Sequence, residues 1–156
     1  MTNPIQVRVA RPTLNLDAAV SFYRGLLELP VLATFEDHEG YSGVVFGLPD
    51  ASRQLEIVSH EGDAPSPTPE DQLVFYLGSV ERVESAAARL RSGGFEPTLA
   101  PNPYWARTGA VCFVDPDGYR VVLSPEAWSG VAPDGLAARL DRHQVDDEDE
   151  RGEQYA

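Results

Sequence analysis

The sequence predicts an α+β protein built from two similar halves, and three observations carry that expectation. An extended segment, an amphipathic helix and further extended segments run from Ile5 to His60, and the same order returns from Asp71 to Ser124. Each half, about 60 residues, is too short to bury a good core alone, so the two are expected to pack on each other and place any pocket at their junction. Between them Gly62-Asp-Ala-Pro-Ser-Pro-Thr-Pro carries three prolines in eight residues, which suits a linker and neither a helix nor a central strand.

In the first half Ile5, Val7 and Val9 alternate with polar or small neighbours, the pattern of a strand with one apolar face, and Arg11-Pro12-Thr13 is expected to end it. Asn15 reads as a helix cap and Asp17 adds favourable charge in the first turn. Leu16, Ala19, Val20, Tyr23, Leu26 and Leu27 then recur at helical spacing, forming the face that covers the first sheet. Leu29-Pro30 restarts an extended path, with strands over Val31 to Glu36, Tyr41 to Leu48 and Arg53 to Ser59 and turns at Gly40 and Pro49-Asp50.

In the second half Gln72 to Leu77 reads as a strand with Leu73, Phe75 and Leu77 on one face. Val80, Val83, Ala87 and Leu90 form a helical stripe closed by Gly93-Gly94. Strands over Gly109 to Val114 and Tyr119 to Ser124 flank Asp115-Pro-Asp-Gly, a strong turn signal read as a fold marker rather than a catalytic device. Asn102-Pro-Tyr-Trp-Ala-Arg places Tyr104, Trp105 and Arg107 in a loop, where Trp105 could stack on a planar ligand. Beyond Pro125 the pattern stops. Gly135 to Arg142 has the makings of a short helix, and the acidic run Asp146 to Glu150 is expected to stay solvated.

The 156 residues with 42% hydrophobic content suit one unit with a sizeable core. A net charge of −13, from 25 acidic against 12 basic residues, argues against a nucleic-acid binder and favours a cationic ligand at long range. The single cysteine, Cys112, sits in the apolar run Val111-Cys-Phe-Val and reads as a small buried hydrophobe, with no disulfide framework or zinc motif around it. No long apolar stretch is present, so no membrane association is expected and the protein is placed in the cytoplasm.

Three stretches, Leu16-Asp-Ala-Ala-Val-Ser-Phe-Tyr-Arg-Gly-Leu, Leu55-Glu-Ile-Val and Phe113-Val-Asp-Pro-Asp-Gly-Tyr-Arg-Val-Val-Leu-Ser, occur in an order and spacing that resembles the vicinal-oxygen-chelate superfamily. That superfamily includes glyoxalases, extradiol dioxygenases, and fosfomycin- and bleomycin-resistance proteins. The resemblance covers Ile5 to Pro125. It implies paired βαβββ modules that form a curved mixed sheet around a common cleft. The expected organisation is therefore one domain over residues 1–126, made of modules 1–61 and 70–126, followed by a 127–156 extension.

In metal-using members one ligand commonly comes from the first and one from the last strand of each module, and those positions fall here at Arg8, Glu56, Gln72 and Val122. Strand alternation independently places each opposite its neighbouring apolar face. Arg8 has no acceptor and Val122 no coordinating atom, and Glu56 with Gln72 alone does not make the cage a divalent metal needs. The expectation is a site without metal or cofactor. In it Arg8 and Glu56 pair across the junction, Gln72 adds an amide, and Tyr104, Trp105 and Arg107 supply a wall. His38 reads as solvent-facing or structural, His60 has no identified acid or nucleophilic partner in the sequence, and neither a phosphate loop nor a nucleophile elbow is present.

The leading functional reading is a metal-independent small-molecule-binding protein used in sequestration or antibiotic resistance, resembling the binding-only members of the superfamily and, like them, a homodimer. The alternatives are a glyoxalase- or dioxygenase-like enzyme with a divergent metal site, and a structural or protein-interaction module whose cleft is filled. A fold alone does not choose among these.

Overall fold

The computed structural model describes residues 3–62 and 64–128. The expected helix at Gly135 to Arg142 and the acidic run at Asp146 to Glu150 lie outside the described residues. The first module consists of β1 (Val7–Pro12), α1 (Leu16–Val20), a π-helical segment (Ser21–Leu26), β2 (Val31–His38), β3 (Tyr41–Gly47) and β4 (Arg53–His60). The second contains β5 (Gln72–Tyr76), α2 (Val80–Ser92), α3 (Pro103–Arg107), β6 (Val111–Val114) and β7 (Arg120–Ser124).

The strands form two sheets, ordered β1-β4-β3-β2 and β5-β7-β6. In each, the first strand runs parallel to the last and the remaining pairs are antiparallel, so one α+β topology is used twice. The copies are unequal. Where the first module has β2, the second keeps only the isolated bridge between Thr98 and Cys112. Pro97, Pro101 and Pro103 cluster there, and each removes a donor that a ladder would need.

β1 ends at Pro12, within the Arg11-Pro12-Thr13 stretch expected to end it, and Pro12 itself belongs to the strand. Val7 N donates to Ser52 O and Thr13 N to Val58 O, both at 2.9 Å, so odd-numbered residues face β4. The missing donor of Pro12 therefore falls on the free edge, where it costs no ladder bond. Asn15 caps α1 as expected, its Oδ1 accepting from Ala18 N at 3.0 Å. The helix then widens. Leu27 N donates to Phe22 O at 3.0 Å, a five-residue spacing that draws both Phe22 and Tyr23 out of solvent. Phe22 lay outside the stripe read from helical periodicity, and the π-turn accounts for its burial.

A single apolar cluster joins the modules: Phe22 and Tyr23, Phe46, Leu55 and Ile57 from the first, with Leu90, Phe113 and Leu123 from the second. At the contact between the helices, a Cβ on Gly93 would lie 2.5 Å from Leu26 Cδ1, so glycine there permits the close approach. Arg89 reinforces the seam by donating from Nε to Leu26 O at 2.9 Å and pairing with Glu28 at 3.1 Å.

The tightest link is polar. Buried Tyr23 donates its hydroxyl to Asp115 Oδ2 at 2.6 Å, across 92 residues of sequence. The other carboxylate oxygen accepts from Asp117 N and Tyr119 N, each at 2.9 Å, and so closes the Asp-Pro-Asp-Gly turn. Burial pushes the Asp115 carboxyl above its ordinary value, against these donors, which pull it down. Burial, and then the Asp115 charge, push the Tyr23 hydroxyl well above its own.

A carboxyl whose folded pKa is raised binds its proton more tightly in the folded chain. Its contribution to stability is therefore greatest below the unfolded pKa and declines as pH rises through the folded value. Tyr23→Phe removes a donor that favours the ionised form, and so raises the folded value further. Urea unfolding should show Tyr23→Phe costing about 1–3 kcal/mol at neutral pH, and less at pH below the ordinary aspartate range.

Candidate ligand-binding site

The helices α1 and α2 cover one face of each sheet, so the polar residues that alternate with the core residues lie on the opposite, distal face. In β4, Leu55 and Ile57 enter the core, while Gln54 and Glu56 point the other way. Arg8 is the ladder partner of Gln54 and shares that face. Its Nε donates to Gln54 Oε1 and its Nη1 to Glu56 Oε2, both at 2.8 Å. The arginine side chain is 48% exposed and the glutamate 17%, so the pair has one wet and one sheltered member.

In the second module Leu73 and Phe75 pack toward the core, leaving Gln72, Val74 and Tyr76 distal, opposite Arg120, Val122 and Ser124 of β7. Asn102 caps α3 by accepting from Tyr104 N at 2.9 Å, and Pro103 occupies the first turn. The expected aromatic loop is thus a helical turn. Its Trp105 donates Nε1–H to Gln72 Oε1 at 2.9 Å and lies with its ring centroid 6.5 Å from that of Tyr76. The indole therefore spans β5 from Gln72 to Tyr76. Tyr104 meets the edge of Trp105 at 5.0 Å and lines a cavity of about 160 Å³ with Tyr76, Thr108, Ser124 and Trp128.

The sequence-predicted residues form two groups. Arg8 and Glu56 pair as expected, but between adjacent strands of the first module rather than across the junction, and the amide beside them belongs to Gln54 instead of Gln72. Gln72 is joined to Trp105. No hydrogen bond connects the two groups among the described residues. Arg107 is exposed, and Val122 is fully buried, so it does not border an open cleft. His60 stacks on Tyr41 with centroids 4.1 Å apart. Cys112 is buried as expected, and burial raises its thiol pKa while the charge of Arg120 lowers it.

The four family ligand positions do not fit a divalent metal. Arg8 is a fixed cation without a lone pair, Glu56 is engaged by it, Gln72 Oε1 is engaged by Trp105, and Val122 has no donor atom. Among the described residues no three His, Cys, Asp or Glu gather in a group able to hold one. Sequence reasoning missed Gln54 and Arg120. Each lies two residues before a position it had singled out, on the same strand face, so period-two alternation carried the signal.

Denaturant unfolding should rank the two groups. Arg8→Met breaks a half-exposed pair and is expected to cost about 1 kcal/mol or less. Gln72→Leu leaves the sheltered indole N–H of Trp105 without its acceptor and should cost about 1–3 kcal/mol.

Residues 7–58 match the YycE-like N-terminal domain and residues 70–125 the YycE-like C-terminal domain. The uncharacterised protein YycE of Bacillus subtilis (strain 168) is 41% identical over 120 residues, spanning 76% of this chain and 86% of that protein. A crystal structure of a Bacillus subtilis YycE protein of unknown function, solved as a candidate glyoxalase or fosfomycin-resistance protein, superposes with a TM-score of 0.77. It is 37% identical and covers 83% of this chain and 95% of its own. The trypanothione-dependent glyoxalase I of Leishmania major (TM-score 0.62, 18% identity, 97% and 99% coverage) shares the fold. So does the fosfomycin resistance protein FosX of Mesorhizobium loti (TM-score 0.61, 14% identity, 86% and 95% coverage).

Proposed function

The chain belongs to the YycE-like family, and from that premise we propose that it is a metal-independent small-molecule-binding protein, acting in sequestration or resistance. One observation carries the reading. Where family members that use a metal place its ligands, this chain has an Arg8–Glu56 ion pair and a Gln72–Trp105 hydrogen bond, polar groups held in fixed orientations that recognise organic functional groups rather than chelate an ion. Arg8 orients an acceptor on the ligand. Glu56 fixes Arg8 or receives a donor, while Trp105, Tyr104 and Arg107 form the wall.

A second copy of the chain completes the cleft in this proposal. Ile5 (97% exposed), Val7 (49%) and Val9 (47%) leave an apolar stripe on and beside the edge strand β1, which is a surface that association would cover. Among the described residues no helix is long and apolar enough to cross a membrane. The binding domain spans residues 1–126, and residues 127–156 extend it, with Trp128 reaching the cavity beside Tyr104.

Native mass spectrometry of protein purified without chelators tests these statements together. The expected spectrum shows a dimer that releases an organic ligand on denaturation and takes up no stoichiometric metal on readdition. Arg8→Met should weaken the ligand by roughly tenfold or more, the loss of a charge-assisted hydrogen bond. One firmly held metal per chain, lost in Glu56→Gln and Gln72→Leu, would instead support a glyoxalase-like enzyme.

A further inference from the structure

Of the cations on the distal faces, Arg120 stands out by an unmatched side-chain donor. Its Nε is buried without a hydrogen-bond acceptor, and among the described residues no carboxylate pairs with it. The contrast with other arginines is informative. Arg8 is held by Gln54 and Glu56. Arg11 also has a buried Nη1 without an acceptor, yet its guanidinium lies 4.3 Å over the Tyr119 ring, and its charge acts on Asp71. A guanidinium N–H taken out of water without an acceptor is unfavourable, and a ligand that supplies the missing acceptor relieves that cost.

Its neighbour defines the second contact. Gln72 is the ladder partner of Arg120, on the same distal face. Because Trp105 Nε1–H is donated to Gln72 Oε1, the amide is fixed with its NH₂ as the group left to bind. Arg120 and Gln72 thus present donors side by side on adjacent strands, and Arg120 as a whole is partly exposed.

We propose that Arg120, with the Gln72 amide, forms an oxyanion subsite of the cleft that receives a carboxylate or phosphate group of the ligand. This rests on the reading of the distal faces as a binding cleft and names its ligand class. It also reverses the expectation of a cationic ligand from net charge, since that charge acts at long range whereas specificity is set by the nearest groups. The −13 net charge opposes approach of the anion, so binding should strengthen as salt screens that repulsion until the added ions compete.

The test is ¹⁵N-resolved NMR of the full chain at fixed ionic strength, titrated in separate arms with inorganic phosphate and with benzoate. The Arg120 Nε–H signal is assigned by its loss in Arg120→Gln. The expected result is a saturable shift of this signal and of the Gln72 side-chain amide with at least one anion, and at least tenfold weaker response of Gln72 in Arg120→Gln. A response confined to phosphate or to benzoate identifies the group recognised. Arg120→Gln should also unfold at an equal or higher urea concentration, because it removes a buried donor that has no acceptor. Signals unmoved by both anions, an undiminished Gln72 response in the variant, or a lower urea midpoint would each overturn the proposal. If an uncharged ligand found by mass spectrometry moves Gln72 and Trp105 but leaves Arg120 still, the oxyanion subsite fails and the binding cleft survives. If no ligand moves any of the three, both fail.

Discussion

The hydrogen bond from Tyr23 to Asp115 is the constraint on which the relation between the modules depends. One partner comes from the π-helical segment of the first module and the other from the turn between β6 and β7 of the second, and both are sealed from water. A buried donor or acceptor left unmatched costs more than the bond returns when made, so this pair penalises every other docking of the two halves. The apolar cluster around it is less directional, since Phe22, Phe46 and Leu90 could be buried in several arrangements. Packing supplies the driving force, and the polar pair supplies the choice. Because Asp115 also closes its own turn, the bond ties the conformation of β7, and hence the position of Arg120, to the helix of the other module.

With the modules fixed, their differences explain the site. The first keeps four strands and exposes a polar distal face on which Arg8, Gln54 and Glu56 are mutually satisfied. The second has a proline-rich stretch where the first has β2, and carries α3, whose Trp105 lies over β5. One half is a charged platform and the other an aromatic-covered one. A symmetric chelating site would need matched ligands from both, and this chain does not retain them.

Much of the fold was legible in the sequence because it was written in periodicity. Strand alternation at Leu55 and Ile57, the stripe from Val80 to Leu90, and the caps at Asn15 and Gly93 are local signals that the tertiary structure obeys. What local signals could not convey was the π-turn that buries Phe22, the tolerance of Pro12 on a free edge, and the helical turn at Pro103 to Arg107. Each depends on where a backbone donor points, which sequence periodicity does not encode. The polar positions of the distal faces were legible by residue but not by partner. Arg8, Glu56 and Gln72 were identifiable from strand parity and family position, and Trp105 from the aromatic stretch after Pro103. That Gln54 would sit beside Arg8 required the register of β1 against β4.

The π-turn at Ser21–Leu26 also bears on how this chain can change its length. A segment closed by five-residue spacing holds one residue more than the same rise of α-helix would, so a one-residue deletion there has a ready conformation to fall into. Reverting to α-helix with every residue kept would, however, turn everything on one side by about 100° relative to the other. Either the cap at Asn15 or the hydroxyl of Tyr23 would then face the wrong way. The extra residue behaves as a locked phase in the helix, and a further insertion that is harmless in a surface loop would here uncouple the two halves of the molecule.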